Sequence, residues 1–415
     1  MYYWFRVNMN KSNRFIKDSV HGNLSLNDFE MKVLDSPEVQ RLRRIKQLGF
    51  ISLIYPGANH SRFEHSIGAM YLGSKLADHL ELSDYNKKLV RISALLHDIG
   101  HGPLSHVSEA VLNVSHEELT AKVIKDTSLS EIIGNEFDIN EIIQIINGKG
   151  TLGPIISGDL DVDRMDYLIR DSHYTGVAYG IIDVERIIIN MKLEKYLFLD
   201  IKGVQAAESA LVARYQMYPS VYQHHTTRII NSMFRRCLLR MNQEDIVDFS
   251  KMYHYDDSDI ISLCRNQDGF VKDIIERLDN RNLLKNVNST PLNEFERPQE
   301  VFQINKNKLT KCEEEISEEM EIDKDYVILN IPEYPVFSEM KTQVSFRGKL
   351  FHLSEISSIV GALKKARFNF PDICLYVPKE EKHKFENFNL EDYLELPEKS
   401  ENTFDSIYTD QSKLF

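Results

Sequence analysis

The stretch ISALLHDIGHGPLSH, residues 92–106, decides the fold of this 415-residue chain. Its apolar residues recur at helical spacing up to His97 and Asp98, where glycines and a proline end the helix. Neighbouring residues on a helix point about 100° apart, so these two side chains share a target only at a helix end that faces a cavity. A metal ion is such a target, because imidazole and carboxylate together suit Mn, Fe, Ni or Co, and less exclusively Mg or Zn.

Two other segments offer ligands of the same kind. NHSRFEHSIG, residues 59–68, places His65 near a predicted helix start, and GDLDVDRMDYLIRD, residues 158–171, contains Asp163 among other acids. Histidine is the commonest metal ligand, and most of the 14 histidines of the chain precede residue 120. His65, His97, Asp98 and Asp163 together form the pattern H…HD…D, four candidate metal ligands from three predicted helical segments.

The remaining sequence predicts a mainly α protein with a small α+β C-terminal lobe. Apolar residues at helical spacing predict helices over 36–49, 65–81, 84–100, 162–174 and 207–241, with Pro219 kinking or splitting the last. Residues 195–203 resemble a strand and turn. Short strands over 325–332 and 372–378 flank a predicted amphipathic helix over 354–366.

Composition narrows the class of protein. The 63 acidic residues outnumber the 50 basic ones, and a net charge of −13 argues against indiscriminate binding to nucleic acid or anionic membrane. The four cysteines form no CxxC pair, which indicates a reducing compartment and no zinc knuckle. Neither a signal peptide nor an apolar run of roughly 18 residues is present, so we expect a soluble cytoplasmic protein without a membrane contact.

The H…HD…D pattern resembles the signature of the HD phosphohydrolase superfamily. Further runs of sequence resemble one family within that superfamily. The runs KDSVHGNLSL, DSPEVQRLRRIKQLG, YPGANHSRFEHSIG, LLHDIGHGPLSH, DVDRMDYLIRDSHYTG and ARYQMYPSVYQHH resemble successive blocks of the dNTP triphosphohydrolases, including their dGTPase-like members. The resemblance covers about residues 15–285. It implies an HD-domain helical core and hydrolysis of a dNTP to deoxynucleoside and inorganic triphosphate.

Domain boundaries follow from the extent of the resemblance and, beyond residue 290, from changes in composition and pattern. We expect an N-terminal extension over 1–14 and a catalytic core with effector-site elements over 15–290. A linker and charged loop over 291–324, the small lobe over 325–385 and a loose tail over 386–415 follow. The acidic run 313–325 within this part is interpreted as a solvated charged face.

Catalytic roles follow from the resemblance. It implies that His65, His97, Asp98 and Asp163 bind the metal and that Arg62 grips the α-phosphate side of the substrate. His116 matches the histidine that protonates the leaving 5′-oxygen, a task for a group that titrates near neutrality. His101 and His106 match phosphate-contacting histidines.

Substrate-binding roles follow in the same way. Gln47 and Leu48 match sugar contacts, Tyr167 lies beneath the deoxyribose, and Asp171 bonds its 3′-hydroxyl. A tyrosine packed against the 2′-carbon would exclude ribose. Arg164 and Arg214 match phosphate ligands, and Tyr222 matches a tyrosine near base and sugar. Tyr218 departs from the histidine of the vertebrate enzyme, which leaves base preference open.

A second nucleotide site is implied for a dGTP or GTP effector. Asp35, Gln40 and Arg43 match a guanine-reading trio. Arg281 and Lys285, interpreted as i and i+4 on a helix, match effector-triphosphate contacts, with Arg186 as an added candidate. Because this site lies between subunits in the family, the resemblance implies a homo-oligomer, either a dimer or a tetramer.

Three alternatives stay open. The metal site could serve a phosphodiesterase or nucleotidase acting on another nucleotide, although three triphosphate-gripping arginines weigh against this. A catalytically silent nucleotide sensor would be expected to lose ligands, and all four are present. Single-stranded nucleic acid could bind the basic stretch Arg41, Arg43, Arg44 and Lys46, but we interpret these first as helix-face or effector contacts.

Overall fold

The computed structural model describes residues 14–112, 114–334 and 342–400. Its α-helices are α1 Asp28–Leu34, α2 Pro37–Arg41, α3 Arg62–His79, α4 Asp84–Leu96, α5 His106–Glu109, α6 His116–Asp126, α7 Leu129–Gly134, α8 Ile139–Ile146, α9 Gly153–Ile156, α10 Val162–Thr175, α11 Val184–Asn190, α12 Val204–Met217, α13 His225–Gln243, α14 Asp257–Arg265, α15 Gly269–Asp279, α16 Lys306–Glu319, α17 Leu353–Ile356 and α18 Ser358–Ala366. The strands are β1 Arg14–Asp18, β2 Gly22–Leu26, β3 Met191–Leu193, β4 Leu197–Asp200, β5 Lys285–Pro291, β6 Ile328–Asn330, β7 Gln343–Phe346, β8 Lys349–His352 and β9 Asp372–Val377. The expected fold class, mainly α with small β portions, is confirmed.

Short helical turns connect these elements. Between α12 and α13 the chain forms one π-helical turn, Tyr218–Tyr222, so the predicted split at Pro219 is confirmed. The 3₁₀ turns are Leu42–Arg44, Gly49–Leu53, Ile201–Gly203, Phe249–His254, Leu292–Glu294, Pro298–Gln303, Lys324–Tyr326, Lys379–Phe385 and Leu390–Asp392.

The first hydrophobic core is built around α3, α4, α8 and α10. Polar caps set where these helices begin. Ser61 and Glu64 form a capping box at α3, and the Asp161 side chain accepts from the Arg164 backbone at α10. Such caps satisfy the orphan N–H groups of a first turn. They therefore fix which residues of α3 and α10 lie opposite the C-terminal end of α4.

Two further cores lie on either side of one small sheet. Helices α13, α14 and α15 enclose the second core, and α16 covers the third. The sheet has the antiparallel order β5-β9-β6. Along β9, Cys374 and Tyr376 face the second core, whereas Ile373, Leu375 and Val377 face the third. This period-two alternation makes β9 a strand buried on both faces.

The predicted helix over 36–49 is wrong beyond its first turns. α2 ends at Arg41, and Ile45 is already extended (φ −115°, ψ 115°). The chain leaves the helix because residues 45–47 bond to the segment before α3: Arg62 N donates to Ile45 O at 2.9 Å, and Gln47 N donates to His60 O at 3.0 Å. Tertiary backbone pairing thus replaces helical bonds.

Three segments differ from the expected C-terminal organisation. Residues 306–319, expected within a linker, form α16, because Cys312 and Ile316 are buried in the third core. In the acidic run, Glu313 is buried and accepts from Arg236 and from Leu329 N, so it is no part of a solvated face.

Residues 343–366, expected in the small lobe, pack on the first core. Strand β7 pairs in parallel with β4, which gives the sheet order β3-β4-β7-β8. Val344, Leu353 and Val360 belong to the first core. Leu390 and Leu394 of the expected loose tail are buried in the third core. Residues 1–13 and 401–415 lie outside the described residues, and the domain boundaries stay predictions.

Candidate metal centre and active site

The structure brings the four expected metal ligands together. The Nε2 atom of His65 lies 3.3 Å from Nε2 of His97, 3.0 Å from Oδ1 of Asp163 and 3.6 Å from Oδ2 of Asp98. The Nε2 atom of His97 lies 3.3 Å from Oδ1 of Asp98 and 3.5 Å from Oδ1 of Asp163. The four side chains therefore converge, and they come from α3, the end of α4 and the first turn of α10.

This donor set fits a divalent metal. Metal–ligand distances of about 2.0–2.2 Å place neighbouring ligand atoms about 3.0–3.5 Å apart, which is the spacing found. HD domains bind divalent metals, and His65, His97 and Asp98 of this cluster form a group able to hold one. Two imidazoles with two carboxylates suit Mn, Fe, Co or Ni and admit Mg, so the residues do not select one metal.

Partners behind the histidines fix which nitrogen faces the site. Nδ1 of His65 donates to Asp166 Oδ2 at 2.8 Å, and Nδ1 of His97 donates to the carbonyl of Ala94 at 2.8 Å. Both Nε2 atoms are therefore left as ligands. Asp166 also accepts from His21 Nε2 at 2.6 Å and from the fully buried Arg170.

Close contacts shift the pKa values of His65 and Asp163, two of the four expected ligands, in opposite directions. Burial alone would lower the pKa of His65, but hydrogen bonds to Asp163 and Asp166 raise it to about 10. Burial alone would raise the pKa of Asp163, but His65 and His97 hold it well below its usual range. The histidine protons thus occupy the place of a cation, and metal binding must displace them.

Arg62 lies beside this centre. Its Nη1 donates to Asp98 Oδ2, and its Nε donates to Ser105 Oγ at 2.7 Å. Against the effect of burial, the charge of Arg62 is the largest influence that keeps the pKa of Asp98 low. The expected phosphate-gripping arginine is therefore buried next to a metal ligand.

The three other expected catalytic histidines form one cluster. The rings of His101 and His116 stack with centroids 4.1 Å apart, and the ring of His106 lies edge-on to His101 at 5.0 Å. His101 Nε2 lies 3.4 Å from Asp98 Oδ1, which joins the cluster to the metal centre. Nδ1 of His101 is buried and has no hydrogen-bond partner among the described residues.

Glu109 organises this cluster, although sequence reasoning missed it. Its carboxylate accepts from His116 Nδ1 at 2.7 Å, from the His116 backbone at 3.0 Å and from His106 Nδ1 at 2.9 Å. Burial alone would lower the pKa of His116, but Glu109 raises it. Burial and the charge of Arg62 instead hold the pKa of His101 well below its usual range. The protonated form is therefore favoured at His116 and the neutral form at His101.

The expected sugar-binding residues also meet. His60 Nε2 donates to Asp171 Oδ1 at 2.8 Å, and the Tyr222 hydroxyl donates to Asp171 Oδ2 at 2.9 Å. Tyr167 and Tyr222 lie edge to face at 6.2 Å, and Leu48 packs in the same apolar cluster. Gln47 is buried, and its Oε1 has no partner among the described residues.

Arg164, Arg214 and Tyr218 complete the set of expected substrate-binding residues. Nε of Arg164 is 3.4 Å from Asp161 Oδ2. The charge of Arg214 acts on Tyr167, Tyr218 and Tyr222. Burial is the largest influence on all three phenols and raises their pKa. These tyrosines are therefore neutral hydroxyl groups.

The expected effector residues are only partly assembled in one chain. Arg43 Nε donates to Gln40 Oε1 at 2.9 Å, its guanidinium stacks over Phe63 at 3.6 Å, and Asp35 caps the end of α1. The predicted helix joining Arg281 to Lys285 is wrong. α15 ends at Asp279, Arg281 has a left-handed φ of 53°, and Lys285 begins β5.

The remaining candidate positions are Arg186 and the basic stretch over residues 41–46. Arg186 Nη2 donates to the carbonyl of Lys202 at 3.5 Å. The basic stretch that could hold nucleic acid is not an open row of charges, because Arg41 is buried and Arg44 pairs with Asp256.

Family comparison agrees with this geometry. Residues 62–171 match the HD domain, and residues 182–405 match the HD associated region. The first match spans all four metal ligands, and the second covers more than half of the chain. The chain belongs to the HD-domain phosphohydrolases. Within the described part of this HD-domain protein, no helix is long and apolar enough to cross a membrane.

Individual relatives support the same family. An uncharacterised protein of Methanocaldococcus jannaschii is 38% identical over 388 residues, which cover 91% of this chain and 82% of that protein. The deoxynucleoside triphosphate triphosphohydrolase SAMHD1 homologue of Dictyostelium discoideum is 31% identical over 312 residues, 66% of this chain. The aligned part spans 60% of that protein, less than two thirds of its length.

A solved structure extends the likeness to the whole fold. The phosphohydrolase of Bacteroides thetaiotaomicron superposes with a TM-score of 0.72 at 26% identity, over 88% of this chain and 100% of that one. The HD-domain chain is therefore similar to a phosphohydrolase well beyond its metal-binding helices.

Proposed function

We propose that this HD-domain phosphohydrolase hydrolyses deoxynucleoside triphosphates to deoxynucleoside and inorganic triphosphate. One observation carries the proposal: α10 presents Asp163, Tyr167 and Asp171 at steps of four residues. Each step is about 6 Å along a helix. A metal ligand, an aromatic ring and a hydroxyl acceptor follow one another in the order expected for a phosphate followed by its sugar.

The charges around the metal centre support attack at the α-phosphate. When bound, a divalent metal supplies a Lewis acid and an activated water. Arg62 lies beside the ligand Asp98 and would stabilise charge on the oxygens of the same phosphate. Arg164 and Arg214 would neutralise the remaining phosphates. Neutral His101 offers a hydrogen bond without repelling Arg62.

His116 supplies the proton that the leaving group needs, and Glu109 holds His116 by a hydrogen bond. A water oxygen bonds to the α-phosphorus and gives up one proton to solvent, and the bond from that phosphorus to the 5′-oxygen breaks. His116 gives its proton to the leaving 5′-oxygen, and Glu109 retains the Nδ1 hydrogen bond that raised the pKa of His116. The products are then a deoxynucleoside and intact triphosphate.

Regulation by a guanine nucleotide is a second part of the proposal. Asp35 and Arg43 are exposed, and Gln40 orients Arg43, which supports binding of dGTP or GTP at α2. As the resemblance implies a site between subunits, the phosphate contacts of Arg186, Arg281 and Lys285 would come from another copy in a homo-oligomer, a dimer or a tetramer. The buried free thiols of Cys237, Cys264, Cys312 and Cys374 favour action in the reducing cytoplasm.

Product analysis tests the function. Purified protein with Mn²⁺ is incubated with each dNTP alone and with an equimolar mixture, and products are separated by ion-pair chromatography. We expect deoxynucleoside and triphosphate, lost in Asp98→Ala. Turnover only in the mixture or with added dGTP would support the effector. Release of monophosphate or orthophosphate would contradict attack at the α-phosphate, and no turnover with Mn²⁺ bound would contradict the enzyme itself.

A further inference from the structure

A segment of the second core holds the turn that follows the metal ligand Asp98. We call Ile99–Ser105 the active-site turn and Tyr255–Asp257 the anchoring segment. Asp257 accepts from Leu104 N at 2.6 Å through Oδ1 and from Lys46 N at 2.9 Å through Oδ2. Both carboxylate oxygens therefore accept hydrogen bonds from backbone groups beside the active site. Neither oxygen caps α14, the helix that Asp257 begins.

The active-site turn needs such support because its backbone is strained. Leu104 and Ser105 both have a φ of 57°, a left-handed conformation in consecutive residues with side chains. Conformations of this kind are unfavourable and persist only where the surroundings enforce them. The bond from Leu104 N to Asp257 lies within this strained pair. Ser105 in turn accepts from Arg62 and donates to the carbonyl of Lys46 at 2.7 Å.

Arg41 also joins the active-site turn to the anchoring segment through hydrogen bonds. Its Nη2 donates to the carbonyls of Ile99 at 2.9 Å and His101 at 2.8 Å, and its Nη1 donates to the carbonyl of Tyr255 at 2.8 Å. The buried guanidinium of Arg41 thus links two carbonyl groups of the active-site turn to one carbonyl group of the anchoring segment. Arg41 belongs to α2, between Gln40 and Arg43, so it lies in the block proposed for the effector.

We propose that Asp257, acting with Arg41, is a positioning residue that keeps His101 and the Arg62–Ser105 pair in place for the triphosphate. The inference rests on the proposed function for the identity of the ligand, but the contacts themselves do not depend on it. Neither residue touches the metal ligands through its side chain. Their effect would be transmitted through the backbone of the active-site turn.

The contacts define what the loss of Asp257 would do. Leu104 N and Lys46 N would lose their acceptor, and the left-handed pair could relax. Ser105 would then shift relative to Arg62, and His101 relative to Asp98. Displacement of a positioned group by about 1 Å can cost about 10²-fold in rate. We therefore expect weaker triphosphate binding and lower kcat, with the metal ligands still in place.

The experiment compares Asp257→Ala and Asp257→Asn with the matched control Asp259→Ala. Asp259 is a carboxylate in the same first turn of α14, where it accepts from Asp256 N as part of the capping box, and it bonds to no residue of the active-site turn. Its removal weakens the start of α14 without touching Leu104 or Lys46. The Asn variant keeps one acceptor oxygen and should be intermediate.

Three readouts separate positioning from folding. Hydrogen exchange is measured on peptides across the protein, including 44–48 and 99–105. Mn²⁺ affinity is measured by electron paramagnetic resonance, and binding of inorganic triphosphate to the Mn²⁺-loaded protein by calorimetry. For Asp257→Ala we expect faster exchange confined to 44–48 and 99–105, triphosphate affinity lowered by at least about tenfold and Mn²⁺ affinity within about twofold of wild type. A merely structural role would lower the folded fraction without changing the Kd of the folded molecules.

The outcomes distinguish this inference from the proposed function. If Asp259→Ala produces the same exchange and triphosphate changes, or if Asp257→Ala produces none, the positioning role is overturned. If wild type binds Mn²⁺ but turns over no dNTP, the proposed function fails, while faster exchange at 99–105 confined to Asp257→Ala still supports the anchor. An Asn variant that recovers part of the triphosphate affinity supports the hydrogen-bond mechanism.

Discussion

Gly68 offers a sharp test of the network behind the metal centre. It lies in α3, one turn after His65, where an added Cβ would overlap Asp166 Oδ1 and Arg170 Nη2. Asp166 accepts from His65, His21 and Arg170 and is completely buried. Gly68→Ala must therefore push this carboxylate away from at least two of its donors.

The magnitude follows from those bonds. Hydrogen bonds to a charged group contribute about 1.5–3 kcal/mol each, so losing two costs about 3–6 kcal/mol. Replacing glycine by alanine within a helix returns about 1 kcal/mol. We expect a net loss of about 2–5 kcal/mol in the free energy of unfolding, a large share of the 5–15 kcal/mol typical of a domain. Loss of a partner behind a metal-binding histidine also lowers metal affinity about 10–100-fold.

Urea denaturation and Mn²⁺ titration measure the two effects, with Gly361→Ala as the control. Gly361 lies within α18, where a Cβ would meet nothing within 4 Å. There the same substitution should stabilise by about 0.5–1 kcal/mol. If Gly68→Ala unfolds at the same urea concentration as Gly361→Ala and binds Mn²⁺ as tightly as wild type, the role assigned to Asp166 is wrong.

Three further predictions concern the site itself. In Glu109→Gln the pKa of His116 falls because the carboxylate that accepts its proton is lost, so the alkaline limb of kcat moves to lower pH; an unmoved limb contradicts His116 as the acid. Mn²⁺ affinity should rise about tenfold per pH unit between pH 6 and 8, because binding displaces the proton of His65, whose pKa its carboxylate partners raise to about 10 despite burial; calorimetry in several buffers would detect the released proton. In Tyr167→Ala the preference for dNTP over NTP, measured as kcat/KM, should fall at least about tenfold, whereas unchanged discrimination would remove Tyr167 from sugar selection.

The metal site could be predicted from the sequence because its chemistry restricts the residue types. Two imidazoles and two carboxylates at helix boundaries leave few other interpretations, and the caps at Ser61 and Asp161 mark those boundaries locally. Glu109 could have been found in part, since it lies three residues after His106. Its bond to His116 could not, because that bond depends on how α6 returns toward α5.

Other residues were misjudged because tertiary contacts override local pattern. Arg41 resembles part of a basic surface, yet three backbone carbonyls surround it inside the protein. The spacing of Arg281 and Lys285 suits a helix, but burial of Leu283 and Leu284 and pairing with β9 favour a strand there. Helix α16 is rich in acidic residues, so its sequence does not indicate that one face of the helix is buried in the third core.

The parallel pairing of β4 with β7 has a consequence for synthesis of the chain. The ribosome releases α3, α4 and α10, with every metal ligand, long before it releases β7 and α18. Until residues 343–366 emerge, β4 lacks its neighbour and the surface that Val344, Leu353 and Val360 will cover stays open to water. The nascent protein therefore carries its expected metal ligands on an unfinished hydrophobic core from the release of Asp163 until the release of residue 366, a stage that exposes apolar surface to chaperones.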